Sequence, residues 1–443
     1  MLETNNMSEK QGCMIDFGPV SDKSKDIIKV VGVGGGGCNA VENMYKEGIA
    51  NVTFAVCNTD CQSLSPLEIP VKVAIGDLGA GSDPEVGREK AQKHIEEIKS
   101  LFSDGTKMAF VTAGMGGGTG TGAAPVVASV ARSMGILTIG VVTIPFYFEK
   151  NDKIIKALKG VEQMRKNVDA LLIVNNERIC DIYSDSDMSV KAAFKKADMI
   201  LCDATKSISE LITTLGTINL DFRDVEATMR NGGDAIMAIG RGSGELRVQK
   251  AIVDALDSPL LYGNDISKAK RILFNVYTSS SNELKVREMN EVDAFMDALD
   301  PNIKVIWGVS DDDSLGDDAK VTILATGANG GFKDFDTEED KPGDERFYEM
   351  IKQLYKPYPK KKLTLSDSQR TDQPGENKVI EPEVTTPHEE EPASEQPTPS
   401  TVESDSATEY PNEPSAKKRS YTFLDKVKKQ LEKRLGEIVS GDE

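Results

Sequence analysis

Thr112-Ala-Gly-Met-Gly-Gly-Gly-Thr-Gly-Thr-Gly-Ala-Ala-Pro125 is the stretch that decides the fold. The apolar run Met108-Ala-Phe-Val111 before it reads as a strand, and Val126-Val-Ala-Ser-Val-Ala-Arg132 after it reads as a helix. A strand, a glycine turn and a helix start together make an anion cradle. Glycines let backbone N–H groups approach a phosphate, the helix N-terminus adds partial positive charge, and the two threonine hydroxyls can donate. A flexible linker would also be glycine-rich, but its flanks would not be apolar and periodic.

Upstream, Ile27-Ile-Lys-Val-Val31 reads as a first strand, with Gly32-Val-Gly-Gly-Gly-Gly-Cys-Asn39 as a second glycine turn and a helix from about Ala40 to Glu47. Gly32, Gly34 and Gly37 fit G-x-G-x-x-G. Asn51 to Val56 is the next strand, ending in Asn58-Thr-Asp60. Taken alone, this half fits an NAD-dependent dehydrogenase as well as a mononucleotide binder. A dehydrogenase needs a catalytic His, Lys or Tyr, and none stands in an obvious place. There is no G-x-x-x-x-G-K-[S/T], so the chain is not a P-loop NTPase.

Further strands are read at 71–75, 135–144 and 170–174, with helices at about 84–101 and 152–167. Strands alternating with helices predict a doubly wound parallel sheet, whose ligands bind beyond the carboxyl ends of the strands. The glycine turns, Asp60, Glu149 and Asn176 all fall there. Residues 189–215 read as one long amphipathic helix, and on the periodicity alone Phe194 and Asp198 read as core packing and a solvated face. The loop Gly216-Thr-Ile-Asn-Leu-Asp-Phe-Arg-Asp224 follows. The helix spans on the order of 40 Å, which puts Asn219, Asp221 and Asp224 on the opposite face of the subunit from the glycine turns. Those carboxylates then reach a phosphate only on a neighbouring copy, and such a head-to-tail contact builds open filaments. From Val225 the strict alternation stops, predicting a smaller α+β domain that ends near Gly327.

The formal net charge of −19 argues against a general nucleic-acid binder. It is unevenly spread: residues 366–414 carry −11 and residues 415–443 carry +3. The six cysteines and two histidines form no cluster with zinc or disulfide spacing. No N-terminal apolar signal segment is visible and no run of ~18 apolar residues exists, so the cytoplasm is the expected compartment. Residues 1–25 read as a disordered arm, 331–365 as an irregular extension and 366–414 as a disordered acidic linker. In Tyr421 to Gly436, Phe423, Leu424, Val427, Leu431 and Leu435 share one face, decorated by five basic residues. A basic amphipathic helix on a tether is a docking peptide for a protein or a membrane surface.

Gly114-Met-Gly-Gly-Gly-Thr-Gly-Thr-Gly122 resembles the signature of the tubulin superfamily, in its bacterial cell-division branch. The resemblance runs from about Ile27 to Gly327 and includes Gly34 to Val41, Asn58-Thr-Asp60, Pro145-Phe-x-x-Glu149, Asn219 to Val225, Ser258-Pro-Leu-Leu261 and Leu315-Gly-Asp317. It implies a Rossmann-like doubly wound GTP-binding domain (26–188), joined by a central helix (189–215) to a smaller α+β polymerisation domain (216–330). It also implies a GTP-dependent protein that polymerises into the ring at the mid-cell septum, with division proteins or a membrane adaptor on segment 415–443. The implied nucleotide residues are Gly34, Gly35, Gly36, Gly37, Cys38, Asn39 and Asp60, then Gly117, Gly118, Thr119, Gly120 and Thr121. Glu149 would bond the ribose, and Asn176, Phe194 and Asp198 would hold guanine. Asp221 and Asp224, with Asn219, would act on the next subunit's GTP, with Mg²⁺ on the phosphates. A tubulin-like filament for shape control or DNA partition shares the fold. Three positions depart from the pattern: Cys38 replaces a glycine and brings a side chain into a tight turn; Lys153 replaces an Arg near the γ-phosphate; and Arg223 replaces a small residue between the two Asp. The usual acidic C-terminal peptide is absent, and the basic helix takes its place.

Overall fold

The computed structural model describes residues 27–183, 187–214, 216–258, 261, 266–327, 345–356 and 427. The expected arm (1–25), acidic linker (366–414) and, except for Val427, the basic segment (415–443) lie outside the described residues.

In chain order the first half runs β1 (Ile28–Val33), α1 (Gly34–Glu47), β2 (Val52–Asn58), α2 (Cys61–Leu64), β3 (Val71–Ala74), α3 (Pro84–Lys93), α4 (Ile95–Ser100), β4 (Met108–Gly114), α5 (Thr119–Ser133), β5 (Leu137–Ile144), α6 (Asn151–Asn167), β6 (Ala170–Asn175) and α7 (Glu177–Tyr183). Then come α8 (Val190–Thr213), α9 (Phe222–Met229), β7 (Gly233–Gly242), α10 (Arg247–Leu256), β8 (Arg271–Thr278), α11 (Met289–Ala298), β9 (Lys304–Asp311), β10 (Ala319–Thr326) and α12 (Glu345–Leu354). The strands form one sheet in the order β3-β2-β1-β4-β5-β6-β7-β10-β8-β9. β1 to β6 are parallel, and β7 continues them through a short register, Ala170–Leu172 against Gly233–Ala235. β10 then runs antiparallel to both β7 and β8. The two halves expected from the sequence thus share a sheet.

Alternate residues of the buried strands feed opposite layers, as a sheet covered on both faces requires. Val31 and Val33 of β1 pack with α3, α5, α6 and α12 through Ala91, Val127, Leu158 and Phe347. Ile28 and Val30 pack on the other face with α1, α8 and α9 through Val41, Met44, Leu201, Ile208 and Met229. A third core joins α10 and α11 to β8 and β10 through Val248, Ile252, Phe295 and Ile323. Val427 is fully buried in that core.

Several boundaries differ from the sequence reading. Helix α1 starts at Gly34 and α5 at Thr119, inside what reads as loop. Close approach forces glycine there: a Cβ on Gly37 would stand 2.4 Å from the Thr112 carbonyl oxygen, and one on Gly120 would stand 2.5 Å from that of Gly114. Pro125 lies within α5 rather than before it. The helix expected at 84–101 breaks at His94, whose ring Nδ1 lies 2.9 Å from the Lys90 carbonyl oxygen. The span expected to be irregular, 331–365, contains α12, with Phe347, Met350 and Ile351 buried.

Candidate nucleotide site

The two glycine turns meet. A Cβ on Gly34, at φ +72°, would stand 2.7 Å from the Gly120 amide nitrogen, so the turns are in backbone contact beyond the carboxyl ends of β1 and β4. Neither α1 nor α5 has a side-chain cap or an acid in its first turn. By contrast α3, α8 and α9 are each capped by Asp83, Ser189 or Asp221. Two adjacent helix starts therefore keep N–H groups for an anion. A Cβ on Gly35 or Gly117 would meet nothing within 4 Å, so both face open space, and Gly36 and Asn39 are exposed beside them. Gly118 is shut in by Ala80 and Asp83. The Thr119 and Thr59 hydroxyls lie 2.5 Å apart, tying the phosphate turn to the end of β2. Thr59 escaped the sequence reading, although the Asn58-Thr-Asp60 motif marks it. Asp60 caps α2, accepting from the Gln62 N–H at 3.0 Å.

Two expected roles change. The Cys38 side chain does not enter the turn. It is buried in the α1 core, with its Sγ 3.8 Å from the Gly32 carbonyl oxygen, and burial pushes the thiol up to about 12. The helix begins four residues earlier than Cys38, so its side chain turns into the core and its N–H falls past the free donors of the helix start. Thr121 is also buried, and its hydroxyl accepts from the Gly116 N–H at 2.8 Å, closing the turn.

The next wall is Pro145-Phe-Tyr-Phe-Glu149, leaving β5. The Glu149 carboxylate accepts from the Phe146 N–H at 2.9 Å and pairs with Lys153, one turn into α6. Phe194 of α8 is 41% exposed and meets Phe146 edge-on at 5.0 Å, with Phe148 stacked on Phe146. One turn along, Asp198 is half-buried, and burial pushes its carboxyl up to about 6. Asn176, at the end of β6, is 4% exposed, and its Oδ1 has no partner. The Asn176 Oδ1 and the desolvated Asp198 carboxyl are thus both acceptors open to a donor.

Asn219, Asp221 and Asp224 are elsewhere. From Phe194, beside the end of β5, the helix axis runs roughly 28 Å to Thr213. Helix α9 follows, and the Arg230 guanidinium at its far end donates to Asp169 at 3.1 Å and to the carbonyls of Gly135 and Ile136. Those three residues stand at the amino ends of β5 and β6. The far end of α9 is thus at the opposite end of the parallel strands from the cradle; the 216–224 loop leads into that helix and pairs with β9 through Ile218 and Val309. Asn219 Oδ1 accepts from the Gly216 N–H at 2.7 Å, shaping the loop. Asp221 accepts from the Arg223 and Asp224 N–H groups, and Asp224 returns a bond from the Asp221 N–H at 3.0 Å. This capping box holds both carboxylates at an exposed helix start. Arg223 is exposed and pairs with Glu226 at 2.8 Å.

A cavity of about 630 Å³ lies away from the cradle, between α8 and β7. Lys320 reaches across it to Glu210 at 3.3 Å and Asp312 at 2.9 Å. Among the described residues no helix is long and apolar enough to cross a membrane.

Residues 27–184 match the family model for the Tubulin/FtsZ family GTPase domain, and residues 233–329 match that for the FtsZ family C-terminal domain. The chain belongs to the tubulin/FtsZ family. It is a cytoskeletal GTPase of the cell-division branch, with GTP as substrate, and the dehydrogenase reading falls. A cell division protein FtsZ of Porphyromonas gingivalis is 51% identical over 68% of this chain and 67% of its own length. One from Aquifex aeolicus is 41% identical over 73% and 88%. An FtsZ dimer structure from M. jannaschii shares 40% identity at a TM-score of 0.63, covering 69% of this chain and 89% of that one. CetZ2 of Haloferax volcanii, at 17% identity and TM-score 0.59, shares the fold.

Proposed function

We propose that this FtsZ-family chain polymerises head to tail and hydrolyses GTP at each junction, with the phosphates on one subunit's cradle and the carboxylates of Asp221 and Asp224 supplied by the next. The observation that supports this is that α9, which Asp221 and Asp224 open, ends with Arg230 on Asp169 at the amino ends of the strands whose carboxyl ends carry the cradle. One chain cannot close that gap, whereas a translated copy closes it and leaves another half-site at each end. The filaments would build the division ring at the mid-cell septum, in the cytoplasm.

In the junction, the free backbone N–H groups at the starts of α1 and α5, Gly34–Gly36 and Gly117–Thr121, hold the phosphates, with Asn39 exposed beside them, and Glu149 holds the ribose. Asn176 and Asp198 read the base, since a carboxylate accepts from both N1–H and the exocyclic amine of guanine, which adenine does not offer. Phe194 packs on its face. Asp221 and Asp224 orient and polarise the attacking water. Lys153 reaches the γ-phosphate only by leaving Glu149. Among the described residues no three His, Cys, Asp or Glu side chains cluster as a metal cage. Mg²⁺ bound with the nucleotide would be held by the phosphates and water and would neutralise phosphate charge there.

The basic segment 415–443 docks on a division protein or membrane adaptor. Because Val427 is buried in the chain's own third core, that docking first requires its release. The test of the whole reading is GTP turnover against protein concentration. A threshold below which turnover per subunit collapses is expected; turnover proportional to concentration throughout would sink the shared site.

A further inference from the structure

Helix α12 and the two residues after it run back onto the first half of the chain. Phe347, Met350 and Ile351 are buried in the core that α6 shares with α5. Arg346 pairs with Glu162 of α6 at 3.0 Å, and both Arg346 and Lys159 lie over the Phe347 ring. The last carbonyls of a helix have no intrahelical partner, and here side chains from the end of β6 and the start of α7 supply it. Asn175 Nδ2 donates to the Leu354 carbonyl at 2.9 Å, and Arg178 donates to the carbonyls of Leu354 and Lys356 at 3.1 and 2.9 Å. Asn175 precedes Asn176, and Arg178 follows it by two residues. On the other side the Tyr355 hydroxyl donates to the Pro145 carbonyl at 2.6 Å, and its ring lies 5.6 Å from that of Tyr147. The Tyr147 N–H in turn donates to Glu177 at 2.8 Å.

We propose that residues 345–356 are a strap that positions the ribose and base walls of the nucleotide site, with Tyr355 as the residue through which it acts on the Pro145–Glu149 loop. The argument is geometric. Glu149 is held by the Phe146 N–H, and Phe146 is the residue after the carbonyl that Tyr355 holds. The same strap end caps itself on Asn175 and Arg178, so one short segment is bonded to both walls. Nucleotide retention is thereby made to depend on the stretch of chain that leads into the tail. Tyr355 touches no nucleotide atom and is a positioning residue.

The proposal rests on the reading of Glu149 and Asn176 as nucleotide ligands, so the test treats the two separately. Dissociation of a fluorescent GDP is followed on the full-length chain, below the concentration at which it assembles. Glu149→Ala tests the site itself, and an unchanged off-rate there removes the ground of the proposal. With Glu149→Ala fast, Tyr355→Phe is expected to raise the off-rate roughly 2- to 12-fold, the equivalent of one ordinary hydrogen bond. A merely structural role would lower the melting temperature without moving the off-rate, and that result overturns the proposal. Phe347→Ala loosens the far end of the strap and is expected to raise the off-rate as well. The double variant decides the route. Effects that fail to add show Phe347 acting through Tyr355, whereas fully additive effects overturn the strap as a unit. In steady-state GTP turnover the loss should fall on KM rather than kcat, because Asp221 and Asp224 lie at the other end of the subunit.

Discussion

Asp198 shows how much of the site's specificity sits in single side chains. Its carboxyl is pushed up to about 6 by burial, so in the free protein the ionised form is penalised and its cost to folding grows as pH rises between about 4 and 6. In the proposed base site guanine needs the Asp198 carboxylate, because only that form accepts from both base N–H donors. Below pH about 6 the site must release a proton to bind, and affinity should fall about tenfold per pH unit; above it the profile should be flat. Isothermal titration with GDP checks this, and dividing by the profile of Asp198→Asn removes the titration of the phosphates. The same substitution should weaken guanine nucleotides by roughly 10- to 150-fold, as expected for losing a charged hydrogen bond. It should favour xanthine nucleotides, whose 2-oxo group accepts from the new amide. Unaltered base preference would remove Asp198 from the base site. Cys38 is the counter-case. Its type and position in a motif suggested a change in the turn, but the rotation of α1 turns the thiol into the core.

At the scale of elements, α9 separates a structural from a chemical role for the same residue. Asp221 caps the helix and Asp224 completes the box, so the bland account of these carboxylates is stability alone. Asp221→Ala removes both cap and charge and should cost about 1 kcal/mol of stability along with hydrolysis. Asp221→Asn keeps a side chain that caps as well as Asp but removes the charge. It should melt like the parent and still lose about 10²- to 10⁴-fold in GTP turnover, the usual worth of a positioned acid or base. Normal turnover in the Asn variant would leave only the capping role. Elements were also where the sequence was hardest to read. The strands were legible because buried parallel strands are continuous apolar runs, as in Leu137–Ile144, and α8 was legible from its stripe. The starts of α1 and α5 were not, because glycine signals loop locally and close backbone approach is a tertiary fact. Helix α12 was missed for the opposite reason: its ten residues carry only Phe347, Met350, Ile351 and Leu354 on one face, amid a charged stretch. Its function appears only once Tyr355 is seen against Pro145.

At the scale of the molecule, the motifs supply both halves of the proposed active site, and the order of elements sets them apart. The helix length separates Gly117 from Asp221, and Arg230 holds the far end of α9 to Asp169 at the amino ends of the strands. What no periodicity could give is that the second half extends the same sheet through Ala170–Leu172 and Gly233–Ala235, since pairing partners are set by tertiary packing. That continuity matters for assembly, because load entering at the α9 end passes through paired strands to the cradle rather than through a linker. The divided site makes a prediction that no self-contained enzyme would meet. A chain carrying Asp198→Ala holds its nucleotide poorly but presents an intact 219–224 loop. A chain carrying Asp221→Asn binds GTP but presents a loop without the charge. Each alone should turn over GTP slowly. Mixed in equal amounts, the first supplies its loop to the GTP held by the second, at about one junction in four if copies join at random. Phosphate release from the mixture should therefore exceed the sum of the two separate rates, and should do so only above the assembly threshold. A mixture that merely averages its components would mean that each chain completes its own site.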